Sequence, residues 1–82
     1  MQVADIQGLI EAGFADPIVR VMSDDNTHFE AVVVATEFDG IRPLARHQLV
    51  YKTLGSLVGN EIHALSIRAF TPAEWADQSA PA

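Results

Sequence analysis

Apolar residues recur at Val3, Ile6, Leu9 and Ile10, the spacing of one helical face, and the pattern stops near Gly13 with Pro17 beyond it. This predicts a short amphipathic helix over roughly the first dozen residues. Ile18 to Met22 is a run of apolar and β-branched residues, Ser23 to Thr27 is a cluster of turn formers, and His28 to Glu37 resumes with Val32-Val33-Val34. Two such runs about a short polar loop predict a β-hairpin. Gly40 and Pro43 then break the chain and open a longer helix, in which Leu44, His47, Val50, Tyr51, Leu54, Leu57 and Val58 fall on one broad stripe that ends at Gly59-Asn60. Ile62 to Phe70 reads as a third strand. Thr71-Pro72-Ala73-Glu74 starts a last short helix, with Thr71 as cap and Glu74 three residues on completing a capping box.

The order α-β-β-α-β-α predicts an α+β fold: a two-layer sandwich in which helices cover one face of a three-stranded sheet. The third strand follows the second through a helical crossover, so the sheet is expected to be mixed. We expect one domain over residues 1–77 and a flexible tail over 78–82, which ends in Ser79-Ala80-Pro81-Ala82.

Composition narrows the chemistry. A chain of 82 residues makes one small domain, and 49% apolar residues suffice for one core. No apolar run approaches the ~20 residues that cross a bilayer. Met1-Gln2-Val3-Ala4-Asp5 lacks the basic and apolar segments of a secretory signal, so the expected location is the cytoplasm. The absence of cysteine removes disulfides, thiolate nucleophiles and all-cysteine metal sites. Eleven acidic against five basic residues give a net charge of −6, which repels phosphate backbones unless the cations gather on one face. Arg42 and Arg46 lie one helical turn apart, with Lys52 far round the helix, and are the candidate contacts for nucleic acid or an acidic partner. The plain alternative is a solvated helix face.

The remaining chemistry rests on three histidines in three elements. His63 opens the third strand, either as a part-buried ring bonded to a backbone carbonyl or as a reachable imidazole. His28 opens the second strand, either solvent-facing or a ligand. His47 lies on the helix stripe and is expected to pack against the sheet with one nitrogen hydrogen-bonded. Tyr51 and Trp75 are expected to be packing residues, Trp75 closing the end of the core over the first helix. No nucleophile turn, glycine-rich phosphate loop or i, i+4 histidine pair is present, so the sequence does not read as an enzyme.

Three segments in order, Phe38-Asp39-Gly40 leading into Arg46-His47-Gln48-Leu49-Val50-Tyr51, then Ile62-His63-Ala64-Leu65, then Thr71-Pro72-Ala73-Glu74-Trp75, resemble the BolA family over Val19 to Trp75. The resemblance implies a fold similar to the class II KH domain, although the Gly-x-x-Gly loop with which KH domains clamp nucleic acid does not occur here. It implies an adaptor that partners a monothiol glutaredoxin in iron-sulfur assembly, transfer, or iron and stress regulation. The two would share a 2Fe-2S cluster, with glutathione supplied by the partner and no cofactor on the isolated chain. His63 then corresponds to the family's cluster-ligating histidine. Many members carry a longer loop between the first two strands with a second ligand; here the loop is only Ser23 to Thr27, and His28 is the nearest candidate, with the carboxylates of Asp24 and Asp25 as alternative donors. The short loop resembles the acid-stress branch of the family. The family is also described as regulating transcription of morphology and stress genes, which makes DNA the alternative partner. The free protein is expected to be a monomer or a weak dimer.

Overall fold

A computed structural model describes residues 1–62 and 64–79. Helix α1 spans Val3–Glu11, strand β1 Ile18–Met22, strand β2 His28–Val34, helix α2 Pro43–Leu54, strand β3 Ala64–Phe70 and helix α3 Pro72–Ser79, with 3₁₀ turns at Thr36–Phe38 and Gly55–Leu57. The expected α-β-β-α-β-α order and the mixed sheet are both present. The strands lie in the order β1-β2-β3. β1 pairs antiparallel with β2, from Ile18 opposite Val34 to Met22 opposite Glu30. β2 pairs parallel with β3, from His28 opposite Ala64 to Val34 opposite Phe70.

Alternation along the strands decides which side chains enter the core. Val19 and Val21 of β1, Phe29, Ala31 and Val33 of β2, and Ile67 of β3 point to the face covered by α1 and α2, where they meet Ile6, Ile10, Phe38, Val50 and Leu54. Phe29, Phe38, Ile6, Ile10, Ile62, Val33 and Val50 are almost wholly buried. Each such side chain contributes about 1.5–3 kcal/mol by leaving water. Among the described residues the opposite face is covered at one end by α3, through Trp75 against Phe70, and is exposed at Arg20, Met22, Glu30, Ser66 and Arg68.

β2 ends three residues before Glu37, because Ala35 leads into the 3₁₀ turn, which buries Phe38 against the edge of Phe14, with ring centroids 5.3 Å apart. The Glu37 carboxylate accepts the Ala15 N–H at 2.9 Å, and that bond holds its pKa below the ordinary carboxylate value. Helix α3 reaches Ser79, inside the stretch expected as a tail; residues 80–82 lie outside the described residues. The capping box at its start is present: Thr71 Oγ1 accepts the Glu74 N–H at 3.1 Å, and Glu74 Oε1 accepts the Thr71 N–H at 2.9 Å.

Helix α2 corrects the expected stripe. Its buried residues are Arg46, Val50 and Leu54, whereas Leu44 is 71% and Tyr51 38% exposed. Arg46 occupies a core-facing position because each of its three nitrogens finds a partner. Nε donates to the Ile41 carbonyl at 2.6 Å, Nη1 to the Ala69 carbonyl at 3.3 Å and Glu74 Oε1 at 2.6 Å, and Nη2 to Glu74 Oε2 at 3.3 Å. The guanidinium also lies 6.0 Å from the centroid of the Phe38 ring. Glu74 is drawn down to a pKa of about 2, first by this bond to Arg46 and then by the Thr71 N–H.

Candidate functional site

The starts of β2 and β3 lie side by side, since His28 is the cross-strand partner of Ala64. The β1–β2 turn folds over this end of the sheet. Ser23 is its hub: Oγ donates to the His28 carbonyl at 2.6 Å and accepts the Asn26 N–H at 2.9 Å. Asn26 takes the left-handed conformation, φ 56°, that a tight turn demands and that Asn tolerates. Asp25 closes the turn, its Oδ1 accepting the N–H groups of Thr27 and His28, both at 2.9 Å. Its other oxygen, Oδ2, meets His28 Nδ1 at 2.9 Å.

This arrangement sets the state of the imidazole. The His28 backbone N–H, the His28 ring and the Thr27 N–H, in that order, hold the Asp25 carboxyl far below its ordinary value, so it is ionised and only accepts. His28 Nδ1 then donates to that carboxylate, and in the neutral ring the Nε2 lone pair is the one left for a metal. The His28 side chain is 74% exposed, and it borders a hollow of about 300 Å³ with Met22, Ser23, Glu30, Ala64 and Ser66. Carboxylate, oriented imidazole and open Nε2 form one end of the outward-pairing arrangement seen at histidine metal ligands.

Among the described residues no group of three or more His, Cys, Asp or Glu side chains is gathered as a metal site. His28 is therefore a single donor, and Asp25 serves it as an orienting group. His63 lies outside the described residues. His47 is half-buried on α2, and the hydrogen bonds between described residues include none from its ring.

The two arginines part company. Arg42 is exposed at the N-cap of α2, but Arg46 is 9% exposed and committed to Glu74, Ile41 and Ala69, so the expected guanidinium pair on an open helix flank does not form. Tyr51 is half-open, its hydroxyl 3.4 Å from the Leu65 carbonyl. Trp75 packs against Phe70 at 5.3 Å and borders Pro17, Ile18 and Val34. It thus covers one end of the sheet face opposite α1, not the core end over that helix. Sequence reasoning had no role for Ser23 and named Asp25 only as an alternative ligand; the signal available was the Ser-Asp-Asp-Asn-Thr-His run, in which an Asp three residues before a His can cap the turn and reach the ring.

Comparison with known proteins decides the family. The family model described as BolA-like protein matches residues 13–74. The chain belongs to the BolA-like family. It is 39% identical over 77 residues to the acid stress protein IbaG of Escherichia coli K12, covering 93% of this chain and 90% of that one. It is 49% identical over 56 residues to the DNA-binding transcriptional regulator BolA of Vibrio cholerae, covering 68% of this chain and 53% of the relative. The match to human BolA-like protein 1, 47% over 53 residues, covers 65% of this chain and 39% of the relative. The chain thus spans only part of several relatives. Among solved structures, a BolA homologue from Coxiella burnetii superposes with a TM-score of 0.81 at 42% identity, over 92% of this chain and 96% of that one. Yeast Fra2 superposes at 0.71 with 26% identity, over 100% and 96% of the two chains.

Proposed function

We propose that this BolA-like protein is a non-catalytic adaptor that docks on a monothiol glutaredoxin and supplies imidazole to a shared 2Fe-2S cluster, in cluster assembly, transfer, or iron and stress regulation. The observation that carries the reading is the Asp25–His28 pair, which leaves Nε2 of an exposed ring ready to ligate in a chain without cysteine. The donor set fits a shared site. Four protein ligands hold a 2Fe-2S cluster, and this chain offers His28 and, by family resemblance, His63, so thiolates must come from the partner and its glutathione. When bound, the cluster exchanges single electrons, and nitrogen ligation raises its potential. The part of this chain is to hold the proton on His28 Nδ1 through Asp25 and to present a neutral imidazole, which protonation would withdraw.

A pulsed EPR measurement on the reduced complex, with histidine labelled with ¹⁵N in this chain only, tests the assignment. Coupling from ¹⁵N that disappears in His28→Ala or His63→Ala supports each as ligand; absence of any ¹⁵N coupling in the wild-type complex would refute imidazole ligation from this protein.

A second reading, a DNA-binding regulator, is favoured by the name of the Vibrio cholerae relative. Arg42 and Lys52 are the exposed cations left on α2. If they track phosphates, replacing both with Ala should flatten the salt dependence of DNA binding. Equal slopes for wild type and variant would remove α2 as the contact.

A further inference from the structure

The sheet face opposite α1 and α2 carries two ordered rows of side chains. Register places Arg20, Val32 and Arg68 in one row and Met22, Glu30 and Ser66 in the next. Arg20, Met22, Glu30, Ser66 and Arg68 are all exposed, while Val32 is only 7% exposed, lying between the two arginine stems. Arg68 rests 5.4 Å from the centroid of Phe70. Among the described residues neither Arg20 nor Arg68 forms an ion pair, although Glu30 is their diagonal neighbour. In a chain of net charge −6, two of the five cations thus stand unpaired on one open face, beside an unpaired carboxylate, a methionine and an aromatic ring. Arg, Met and aromatic residues are the types enriched at interface cores.

We propose that this face pairs with a second copy of the same chain, forming an isologous dimer of two facing sheets. The charge pattern selects the geometry. Facing sheets pack about 10 Å apart with strands roughly aligned, which leaves two kinds of in-plane two-fold axis. An axis along β2 would set Arg20 of one copy on Arg68 of the other and is repulsive. An axis across the strands, midway between the two rows, sets Glu30 of each copy over Val32 of the other. There it is flanked by Arg20 and Arg68, each about 5 Å to the side, the spacing between neighbouring strands. Both Glu30 residues are then clamped by two guanidinium groups, as self-complementary pairing requires.

The size of the face sets the strength. Three short strands present a few hundred Å² per copy, short of the roughly 800 Å² per partner of stable complexes. Net repulsion between two acidic molecules also opposes association. The dimer is therefore weak, with a dissociation constant on the order of 0.1–1 mM.

The test is a concentration series up to about 2 mM, followed by amide chemical shifts and by sedimentation equilibrium. Wild type should show a monomer–dimer equilibrium with shifts centred on Arg20, Met22, Glu30, Val32, Ser66 and Arg68. Glu30→Arg, and separately the double variant Arg20→Glu with Arg68→Glu, should each weaken self-association at least tenfold. Glu30→Arg lowers the net negative charge, so its loss of association is not general repulsion. An equimolar mixture of the two variants should restore pairing, because every facing charge is then opposite again. The proposal is overturned if wild type stays monomeric throughout, if the shifts lie on α2, if the variants associate like wild type, or if the folded variants fail to pair when mixed. A monomeric wild type whose open face shifts on adding poly-glutamate would assign the face to a different, acidic protein. The wild-type series requires no substitution, so it decides even if a variant does not fold.

Discussion

Two carboxylates at the residue scale show how a side chain's partner sets its work. Asp25 fixes the His28 tautomer, and replacing it with Asn should reverse that. The Asn oxygen can keep the backbone N–H bonds of Thr27 and His28 while its NH₂ faces Nδ1, which must then accept, so the proton moves to Nε2. We expect Asp25→Asn to weaken cluster sharing about 10–100-fold, read as the midpoint of a titration against loaded glutaredoxin; an unchanged midpoint would mean that the pair does not orient a ligand. Glu74 does structural work instead. Its acidity is raised from an ordinary 4.5 to about 2 by Arg46, so the bound proton prefers the unfolded chain. The stabilisation is fully present above about pH 4.5 and is lost as the pH falls towards 2. Thermal melts from pH 7 down to pH 2.5 should therefore show a smaller acid loss in Glu74→Gln than in wild type, and parallel curves would contradict the assignment. The Arg46–Glu74 bond was not legible from spacing. Patterning reads Arg46 as polar and assigns it outward, because its partner stands 28 residues away and only the fold brings it near.

Elements are held together here by a few specific contacts laid over ordinary packing. Arg46 joins α2 to the end of β3 and to α3, so Arg46→Ala leaves the Ile41 and Ala69 carbonyls without its donors and should cost about 1–3 kcal/mol. Arg46→Lys should recover little, since an ammonium cannot make the forked bond; denaturant melts of the two variants check both statements. Gly13 lets the end of α1 approach α2, because a β-carbon there would collide with the Thr53 methyl group. Gly13→Ala should destabilise by about 1–3 kcal/mol, and most of the loss should disappear in a Thr53→Ser background, which removes that methyl. Additive losses would place the collision elsewhere. At this scale the sequence was far more legible. The β1 run, the Gly40–Pro43 break and the Thr71–Glu74 capping box are local signals with local causes, and each is where its residues put it. The stripe of α2 was misread because Leu44 and Tyr51 looked like core residues, yet the buried face is centred on Arg46, Val50 and Leu54.

The whole molecule is a sheet with one face buried in the core and the other largely open. The three-stranded mixed sheet followed from the order of the elements, and the residue segments pointed to the family before any coordinates. What order and pattern do not contain is the placement of the outer face, where Arg20, Arg68 and Glu30 are far apart in the chain and become neighbours only through strand register. Trp75 is the same case: an aromatic after a capped turn suits either end of the sheet, and its contact with Phe70 settles which. Both His28 and the exposed arginines belong to this outer side, so the proposed ligand and the proposed contact face lie together, away from α1 and α2.

The central claim is that this chain contributes imidazole to a cluster held with a partner. An anaerobic visible circular dichroism titration of cluster-loaded monothiol glutaredoxin with the wild-type protein, and in parallel with His28→Ala and His63→Ala, tests it most directly. The account predicts a new spectrum that saturates at a fixed ratio with wild type and is altered or lost with each variant. A glutaredoxin spectrum that stays unchanged while its cluster remains intact, or variants indistinguishable from wild type, would contradict it.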